Sequence, residues 1–266
     1  MGDATSFVRR VKQRYRRRRL ERLGVCERIS CDNVLRLGSG SGSWSACIED
    51  MDEESVVYSF GAGTDISFDL DFHERTGAEV HIFDPTPRSI EWMHAQRLPA
   101  RVFFHEYGVG ATDGTIDFFP PRRASSSHFS PVRRYLSRPR DGVVTAPVYR
   151  FSTIAARLGH DHVALVKMDI EGGEYDVIDD MLRAETSFDQ LLVEYHHAYS
   201  TIPISRTVDS VTGLDRAGYR CFYISDRTYE FSFLRQPIVG VPKSPGLRAA
   251  TGSDVDEPSN TGFLHS

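Results

Sequence analysis

Acidic side chains follow an apolar segment in the second half of the chain. In LVKMDIEGGEYDVI, residues 165–178, a buried strand pattern delivers Asp169 to the carboxyl edge of a predicted sheet. Glu171 and Glu174 follow three residues apart, which places them on one face of the next helix. Acids in a first helical turn are also explained by the helix dipole, but that explanation does not extend to Asp169. Asp169 is therefore the strongest candidate for acid–base chemistry.

A second group of titratable side chains ends the segment QLLVEYHH, residues 190–197. Glu194, His196 and His197 lie at or just after the end of a predicted strand, again at the carboxyl edge. If the strand continues, at most one of the adjacent histidines points into the ligand crevice, and we favour His196. Side chains of these types accept protons from hydroxyl groups in many enzymes. The candidate catalytic residues are therefore Asp169, Glu171 and His196.

The same edge of the sheet has an alternative interpretation as a metal site. Asp169, Glu194 and His196 would suit a divalent ion that prefers hard oxygen ligands. No spacing in the sequence requires such an ion, so the sequence does not predict a metal site.

A glycine turn follows the first apolar run, in VVYSFGAGTDISFDLDF, residues 56–72. In an open α/β sheet, ligands bind outside the carboxyl ends of the strands. Gly61 and Gly63 lie there and allow the backbone to approach a ligand or adopt positive φ. Asp84 ends the next strand, at the position where an acid binds the ribose hydroxyls in nucleoside-binding folds. The pattern predicts an adenosine-like ligand, although glycines between a strand and a helix are also common for structural reasons.

The residues after the turn narrow the choice of ligand. NAD favours a third glycine, and Ile66 occupies that position. The acid Asp65 would also oppose a pyrophosphate at the helix start. A carboxylate suits a ligand with an amine and a sulfonium, so the sequence predicts S-adenosylmethionine as cofactor.

Strand and helix patterns alternate through the body of the chain. Strands are predicted at 55–60, 79–83, 101–106, 163–168 and 190–195, with a short one at 115–119. Helices are predicted at 66–76, 87–96, 151–158, 175–183 and 203–217. This alternation indicates an α/β fold with a mostly parallel sheet. The last strands, 219–224 and 229–234, lie too close for a helical crossover, so one of them should run antiparallel.

Several blocks in this order resemble a known family. KMDIEGGE resembles the K-[IM]-D-[VI]-E-G-x-E signature of FkbM-type S-adenosylmethionine-dependent methyltransferases. YSFGAGTDISFD, VHIFDPTP and LLVEYHH resemble blocks of the related methyltransferase-like proteins. The resemblance covers roughly residues 38–236.

The resemblance implies a class I methyltransferase fold: a Rossmann-like three-layer sandwich whose seven-stranded sheet has the order 3-2-1-4-5-7-6. It implies that Gly61 and Gly63 shape the cofactor turn, that Asp84 binds the ribose and that Asp169 faces the methyl-donor end. It also places three residues near the adenine: Tyr107, Gly108 and Val109. Ser59 stands where many class I enzymes carry an acid, which leaves the methionine amine to Asp65 or a neighbour. The expected reaction is O-methylation of a sugar, glycan or small hydroxylated metabolite.

Charge divides the chain unevenly. Residues 1–30 carry ten Arg and Lys against three Asp and Glu, so they have a net charge of +7 and the remainder has −12. The acidic body argues against a specific nucleic-acid partner. The segment 7–23 is predicted to be a basic helix, either a solvated leader or an electrostatic anchor for anionic lipid or RNA. The domain would then be residues 31–242, with an inserted loop at 121–146 and a disordered tail at 243–266.

The sequence also sets expectations for location and for competing functions. It has no apolar run long enough to span a membrane, and its four cysteines have no zinc-site spacing, which predicts a reduced, cytoplasmic protein, with or without peripheral membrane association. Two other functions remain open: a non-catalytic S-adenosylmethionine-binding module tethered by the basic helix, and a nicotinamide-dependent oxidoreductase.

Overall fold

A computed structural model describes residues 2–121, 127–133 and 142–236 of the 266-residue chain. The helices in these ranges are α1 (Gly2–Arg22), α2 (Ser67–Thr76), α3 (Pro87–His94), α4 (Phe151–Leu158), α5 (Glu174–Arg183) and α6 (Ile204–Arg216). The strands are β1 (Val34–Leu37), β2 (Trp44–Cys47), β3 (Val56–Phe60), β4 (Glu79–Phe83), β5 (Val102–His105), β6 (Gly108–Val109), β7 (Gly114–Phe118), β8 (Val144–Tyr149), β9 (Val163–Met168), β10 (Phe188–Glu194), β11 (Tyr219–Ile224) and β12 (Glu230–Arg235).

Seven strands form the central sheet, in the order β5-β4-β3-β9-β10-β12-β11. Neighbouring strands pair in parallel from β5 to β10, whereas β12 runs antiparallel to both of its neighbours. Numbered along the chain within this sheet, the order is 3-2-1-4-5-7-6. The expected class I fold and its single antiparallel strand are confirmed.

Both faces of the sheet are covered by helices, which makes three layers. Tyr58 and Phe60 project to the face that packs against α4, α5 and α6, and both are fully buried. Val57 projects to the opposite face, where Phe68 and Phe72 of α2 cover it. Burial of each such side chain contributes about 1.5–3 kcal/mol. The continuous apolar runs of β3 and β9 arise because both faces of these strands are buried.

Two small sheets flank the central one, and the sequence patterns missed parts of both. The first is the antiparallel pair β1–β2, and the second has the order β6-β8-β7. The segment predicted as an inserted loop, 121–146, lies partly outside the described residues, and its last three residues belong to β8. Val144 begins that strand because it pairs with Phe118 of β7.

The cysteine prediction is wrong for one pair. Cys31 and Cys47 form a disulfide bond, while Cys26 and Cys221 are free thiols. The antiparallel pairing of β1 with β2 brings the two cysteines together, because Val34, three residues after Cys31, pairs with Cys47. That pairing was not visible in the sequence, since β1 and β2 were not predicted.

The basic N-terminal segment is helical, as its spacing predicts. Leu20 at the end of α1 is buried in the core beneath β11 and β12, and the Arg17 guanidinium donates to the carbonyl oxygen of Ile224 at 3.3 Å. Residues up to Gln236 belong to one compact unit. The predicted tail, 243–266, lies outside the described residues. Among the helices described, none has the length and apolar character needed to cross a membrane.

Candidate functional site

A cavity of about 870 Å³ opens at the carboxyl edge of β3, β4, β9 and β10. Its walls combine the glycine turn after β3, the end of β4 and the acidic segment after β9. It contains nine of the ten residues that the sequence assigned to the site: Gly61, Gly63, Asp65, Asp84, Gly108, Val109, Asp169, Glu171 and His196. The roles given to these residues stay predictions, but their assembly in one space follows from the fold.

Gly61 is needed for packing between two strand ends. Its φ is +92°, and a Cβ atom there would lie 1.9 Å from the carbonyl oxygen of Asp169. Gly63 has φ +54°, yet a Cβ atom there would come no closer than 3.4 Å to the nearest side chain. Gly61 therefore allows the turn after β3 to approach the segment after β9 closely. This contact holds the two halves of the cavity together.

Asp84 ties the glycine turn to the start of α3. One carboxylate oxygen accepts the N–H of Gly63 at 3.0 Å, and the other accepts the N–H of Thr86 at 2.9 Å and its hydroxyl at 2.7 Å. The oxygen that accepts from Gly63 has a second acceptor site, so Asp84 can still bind a hydroxyl donor from a ligand. Its orientation is fixed before any ligand arrives.

Asp65 lies at the exposed start of α2 on the rim of the cavity. One of its oxygens accepts the N–H of Ser67 at 2.9 Å, which satisfies a free donor of the first helical turn. Gly42 leaves room for this carboxylate, because a Cβ atom there would lie 2.4 Å from it. Gly42 lines the cavity and was not singled out from the sequence, although it stands in the same glycine-rich segment as Trp44.

Of the three residues expected near the adenine, two line the cavity and one does not. Gly108 and Val109 line the cavity, whereas Tyr107 is outside the lining. The ring of Tyr107 packs against Phe83 and Tyr149, with centroid distances of 5.5 and 5.2 Å. The structure thus gives Tyr107 a packing position behind the wall that the two following residues form.

Asp169 presents an unsatisfied carboxylate to the site. Its Oδ1 atom is buried and accepts no hydrogen bond from the described residues. Nε2 of His196 lies 3.7 Å from this oxygen. Burial, and next the negative charge of Glu171, raise the pKa of Asp169 above its usual range. Such an oxygen is well suited to accept a proton or hydrogen bond from a ligand.

Glu171 occupies a strained position beside Asp169. Its φ of +56° is left-handed, which costs an ordinary residue about 1–2 kcal/mol. Its side chain contacts His128 at 2.5 Å and His196 at 3.3 Å and accepts the hydroxyl of Tyr199. These partners hold the carboxylate at the wall of the cavity. Neither His128 nor Tyr199 was predicted, because both come from segments without a recognisable pattern.

Glu174 has a larger role than the helix dipole would give it. It is fully buried, and one oxygen accepts the N–H of His196 at 2.9 Å and lies 3.2 Å from its Nδ1 atom. The other oxygen accepts the N–H of Gly172 at 2.9 Å. The first turn of α5 therefore holds the end of β10 in place through this one side chain.

His196 sits among carboxylates on both sides of its ring. Its Nδ1 atom faces Glu174, and its Nε2 atom faces Glu171. Burial alone would lower the pKa of His196, but the surrounding acids outweigh it and raise the pKa well above the usual value. An imidazolium with a proton on both nitrogens has no lone pair to accept another. The catalytic roles given to Asp169 and His196 stay predictions.

The neighbours of His196 have different charge states. Burial, and next the charge of Asp169, raise the pKa of Glu194 to about 8, so this cavity-lining carboxyl is mostly protonated at neutral pH. Burial, and next the charge of His196, lower the pKa of His197 to about 4. His197 contacts the hydroxyl of Thr207 at 3.1 Å instead of lining the cavity. His196 therefore lines the cavity and His197 does not, while the role predicted for His196 stays a prediction.

Lys167 stabilises the wall of the cavity that the glycine turn after β3 forms. Its ammonium donates to the carbonyl oxygen of Gly61 at 2.9 Å and lies 5.5 Å from the centre of the Trp44 ring. Trp44 is 5% exposed and lines the cavity. The buried Lys167 on β9 thus holds the glycine turn after β3 in place.

The fold and the site together define a class I methyltransferase architecture: a sheet in the order 3-2-1-4-5-7-6 with a cavity at its carboxyl edge. The model of the methyltransferase FkbM domain matches residues 45–221, which is most of the described chain. The protein belongs to the FkbM methyltransferase domain family.

Individual relatives are distant. Probable methyltransferase-like protein 24 from Rattus norvegicus is 23% identical over 75% of this chain and 53% of its own length. Hexuronic acid methyltransferase AglP from Haloferax volcanii is 24% identical over 56% of this chain and 59% of its own. Methyltransferase FkbM from Methylobacillus flagellatus, a crystal structure, matches 69% of this chain and 44% of its own with a TM-score of 0.45 and 14% identity. The chain spans about half the length of the curated relatives it matches.

Proposed function

We propose that this protein is an S-adenosylmethionine-dependent methyltransferase that acts on a hydroxyl of a sugar, glycan or small hydroxylated metabolite. The observation that carries the proposal is the shared cavity, in which a pre-oriented Asp84 and an unsatisfied Asp169 face one space. Family membership supports the reaction class.

The residues of the cavity fit this cofactor. A volume of about 870 Å³ lies within the range of small-molecule sites. Asp84 can accept ribose hydroxyls, and Asp65 on the rim is a carboxylate partner for an amine. The buried Oδ1 atom of Asp169 lacks a hydrogen-bond donor among the described residues, as expected of an atom that a ligand is to satisfy.

The cofactor, when bound, would supply an electrophilic methyl group. Asp169 would accept the proton of the acceptor hydroxyl on its carboxylate, which its raised pKa makes a stronger base. The imidazolium of His196 would hold Glu171 and Glu174 in place and leave Asp169 free to act. Positioning of the acceptor would supply much of the remaining rate.

A sugar is the acceptor class that we favour. One relative is named a hexuronic acid methyltransferase, and the mouth of the cavity here includes Arg227, Tyr199 and Tyr229. A guanidinium can pair with a sugar carboxylate, and aromatic rings pack on the apolar face of a sugar. Glucuronic acid and its oligosaccharides are therefore the first acceptors to test.

Cofactor binding is testable without knowing the acceptor. Isothermal titration with S-adenosylhomocysteine should give micromolar binding by the wild type and at least about tenfold weaker binding by Asp84→Asn, since hydrogen bonds to a charged group contribute about 1.5–3 kcal/mol. Asp189→Asn is a matched control, because Asp189 is exposed and pairs with His162 away from the cavity. No binding by the folded wild type would refute the proposal.

We also propose that residues 7–23 bind an anionic membrane surface. Phe7, Val8, Val11 and Tyr15 on α1 are half or more exposed, although they are apolar or aromatic, and arginines surround them. Co-sedimentation with phosphatidylserine vesicles should exceed that with phosphatidylcholine vesicles and fall with salt. Equal sedimentation with both lipids would contradict this role.

A further inference from the structure

A second group of metal-ligand side chains lies at the amino edge of the sheet, away from the cavity. It comprises Glu79 and His81, which share one face of β4, and His160, from the connection between α4 and β9. We propose that these three residues form a binding site for a divalent transition-metal ion, with zinc as the ion that two imidazoles and one carboxylate favour. The proposed activity neither uses nor requires this site.

The distances suit a metal ion. Oε1 of Glu79 lies 2.8 Å from Nε2 of His81 and 3.4 Å from Nε2 of His160. All three ligand atoms lie within 4.8 Å of one another. Ligands bound at about 2.0–2.1 Å in tetrahedral geometry are about 3.3 Å apart. Small side-chain shifts would therefore bring the three atoms around one ion.

Hydrogen bonds on the far side of each ring prepare the imidazoles for this role. Nδ1 of His160 contacts the hydroxyl of Tyr58 at 2.7 Å, and Nδ1 of His81 contacts Nε2 of His105 at 2.9 Å. Nε2 of each ring faces Glu79, and an ion bound there would displace the proton that Nε2 of His81 donates to this carboxylate at 2.8 Å. Histidines that bind a metal through one ring nitrogen almost always form a hydrogen bond through the other.

The surroundings hold the rings in place. His81 is 5% exposed and stacks on His105, with ring centroids 5.2 Å apart and planes 21° from parallel. Arg101 lies 3.8 Å from the other oxygen of Glu79, which directs Oε1 toward the histidines. The side chains of Glu79 and His160 keep 26% and 15% of their surface accessible, so an ion can enter and keep a water as its fourth ligand.

The acidic cluster in the cavity meets the same distance condition with a different set of ligands. Asp169, Glu171 and His196 also place their ligand atoms within 4.8 Å of one another. Two carboxylates and one imidazole favour an ion that takes oxygen ligands. Two imidazoles and one carboxylate, as at the amino edge, favour zinc.

The test is metal binding by the purified, untagged full chain after treatment with a chelator. Titration with zinc should show one strong site, and cobalt should give the intense visible absorption of tetrahedral coordination. His160→Asn and Glu79→Gln should each weaken zinc binding at least about tenfold. His162→Asn, two residues away and exposed, should bind zinc as the wild type does. Asp169→Asn, which alters the acidic cluster in the cavity, should also bind zinc as the wild type does.

Circular dichroism and S-adenosylhomocysteine binding show whether each variant is folded, and Glu79→Gln keeps the size and hydrogen bonds of the side chain. Absence of zinc binding by the folded wild type would overturn the proposal. Loss of binding in Asp169→Asn with retention in His160→Asn would also overturn it. S-adenosylhomocysteine binding without zinc binding would refute this site and leave the proposed function intact.

Discussion

Two clusters of glutamate and histidine lie at opposite edges of the same sheet and differ in their ratio of acids to imidazoles. At the carboxyl edge, three acids surround the one imidazole of His196 and raise its pKa well above the usual value. At the amino edge, one acid serves several imidazoles. There burial is the largest effect, and it lowers the pKa of His81 and brings that of His105 to about 4. The ratio of acids to imidazoles, more than the residue types, determines what each cluster can do.

The ratio has a chemical consequence at each edge. An imidazolium stabilises the buried carboxylates around it. Imidazoles with fewer acidic neighbours release a ring proton more easily and can then offer a lone pair to a transition metal. Burial is common to both clusters, so the difference comes from the neighbouring charges.

Loss of the base gives the largest expected effect. Asp169→Asn should reduce kcat for methyl transfer to a glucuronic acid acceptor by about 100-fold or more, since a general base contributes that much. S-adenosylhomocysteine binding should change far less. His162→Asn at the amino edge is the control and should retain full activity. Full activity in Asp169→Asn would show that the acidic cluster has no base.

Loss of the charged histidine should destabilise the fold more than loss of a neutral one. His196→Gln leaves buried carboxylates without their cation, which costs about 3–5 kcal/mol. His105→Gln, at the amino edge, removes one hydrogen bond of an imidazole whose pKa burial lowers to about 4, at a cost of about 1 kcal/mol. Urea unfolding in the presence of a chelator measures both. Equal losses would mean that His196 is uncharged in the folded protein.

Glu194 links stability to pH. Its pKa rises from 4.5 to about 8 on folding, so the folded state binds more protons than the unfolded state between these values. The free energy of unfolding should therefore fall as pH rises through this window. Glu194→Gln removes the effect, so the variant should be more stable than the wild type at pH 8, by more than about 1 kcal/mol, but not at pH 4. Parallel pH profiles for the two proteins would contradict the raised pKa.

The smallest expected effect is at the amino edge. Tyr58→Phe removes the hydroxyl that contacts Nδ1 of His160, which should weaken zinc binding about tenfold. The phenyl ring should keep its packing against Phe83 and Phe151. Isothermal titration calorimetry with zinc measures the affinity of the wild type and of Tyr58→Phe. An unchanged affinity would show that the tyrosine does not orient the ring.

Much of the fold was predictable because β3, β4 and β9 are short apolar runs bounded by clear turns. The observed bounds of β4, α4, β9 and β11 match the prediction to the residue. The strands β1 and β2 were missed because each has only four residues and β1 is half-exposed. The disulfide that they bring together was missed with them.

The sequence predicted those site residues that directly follow a strand, such as Asp84 and Asp169. It could not predict side chains that meet only because the fold brings distant segments together. Nothing in the sequence places His128 and Tyr199 on Glu171, and nothing places His160 beside β4. The charge of His196 likewise follows from three acids that only the fold assembles.

The most direct test of this account is a crystal structure of the protein grown with S-adenosylhomocysteine and zinc, with diffraction data collected at the zinc absorption edge. The account predicts the nucleoside in the cavity, with its ribose on Asp84 and its sulfur toward Asp169. It predicts the zinc signal at Glu79, His81 and His160. Zinc bound at Asp169 and His196, or a nucleoside that does not contact Asp84, would contradict it.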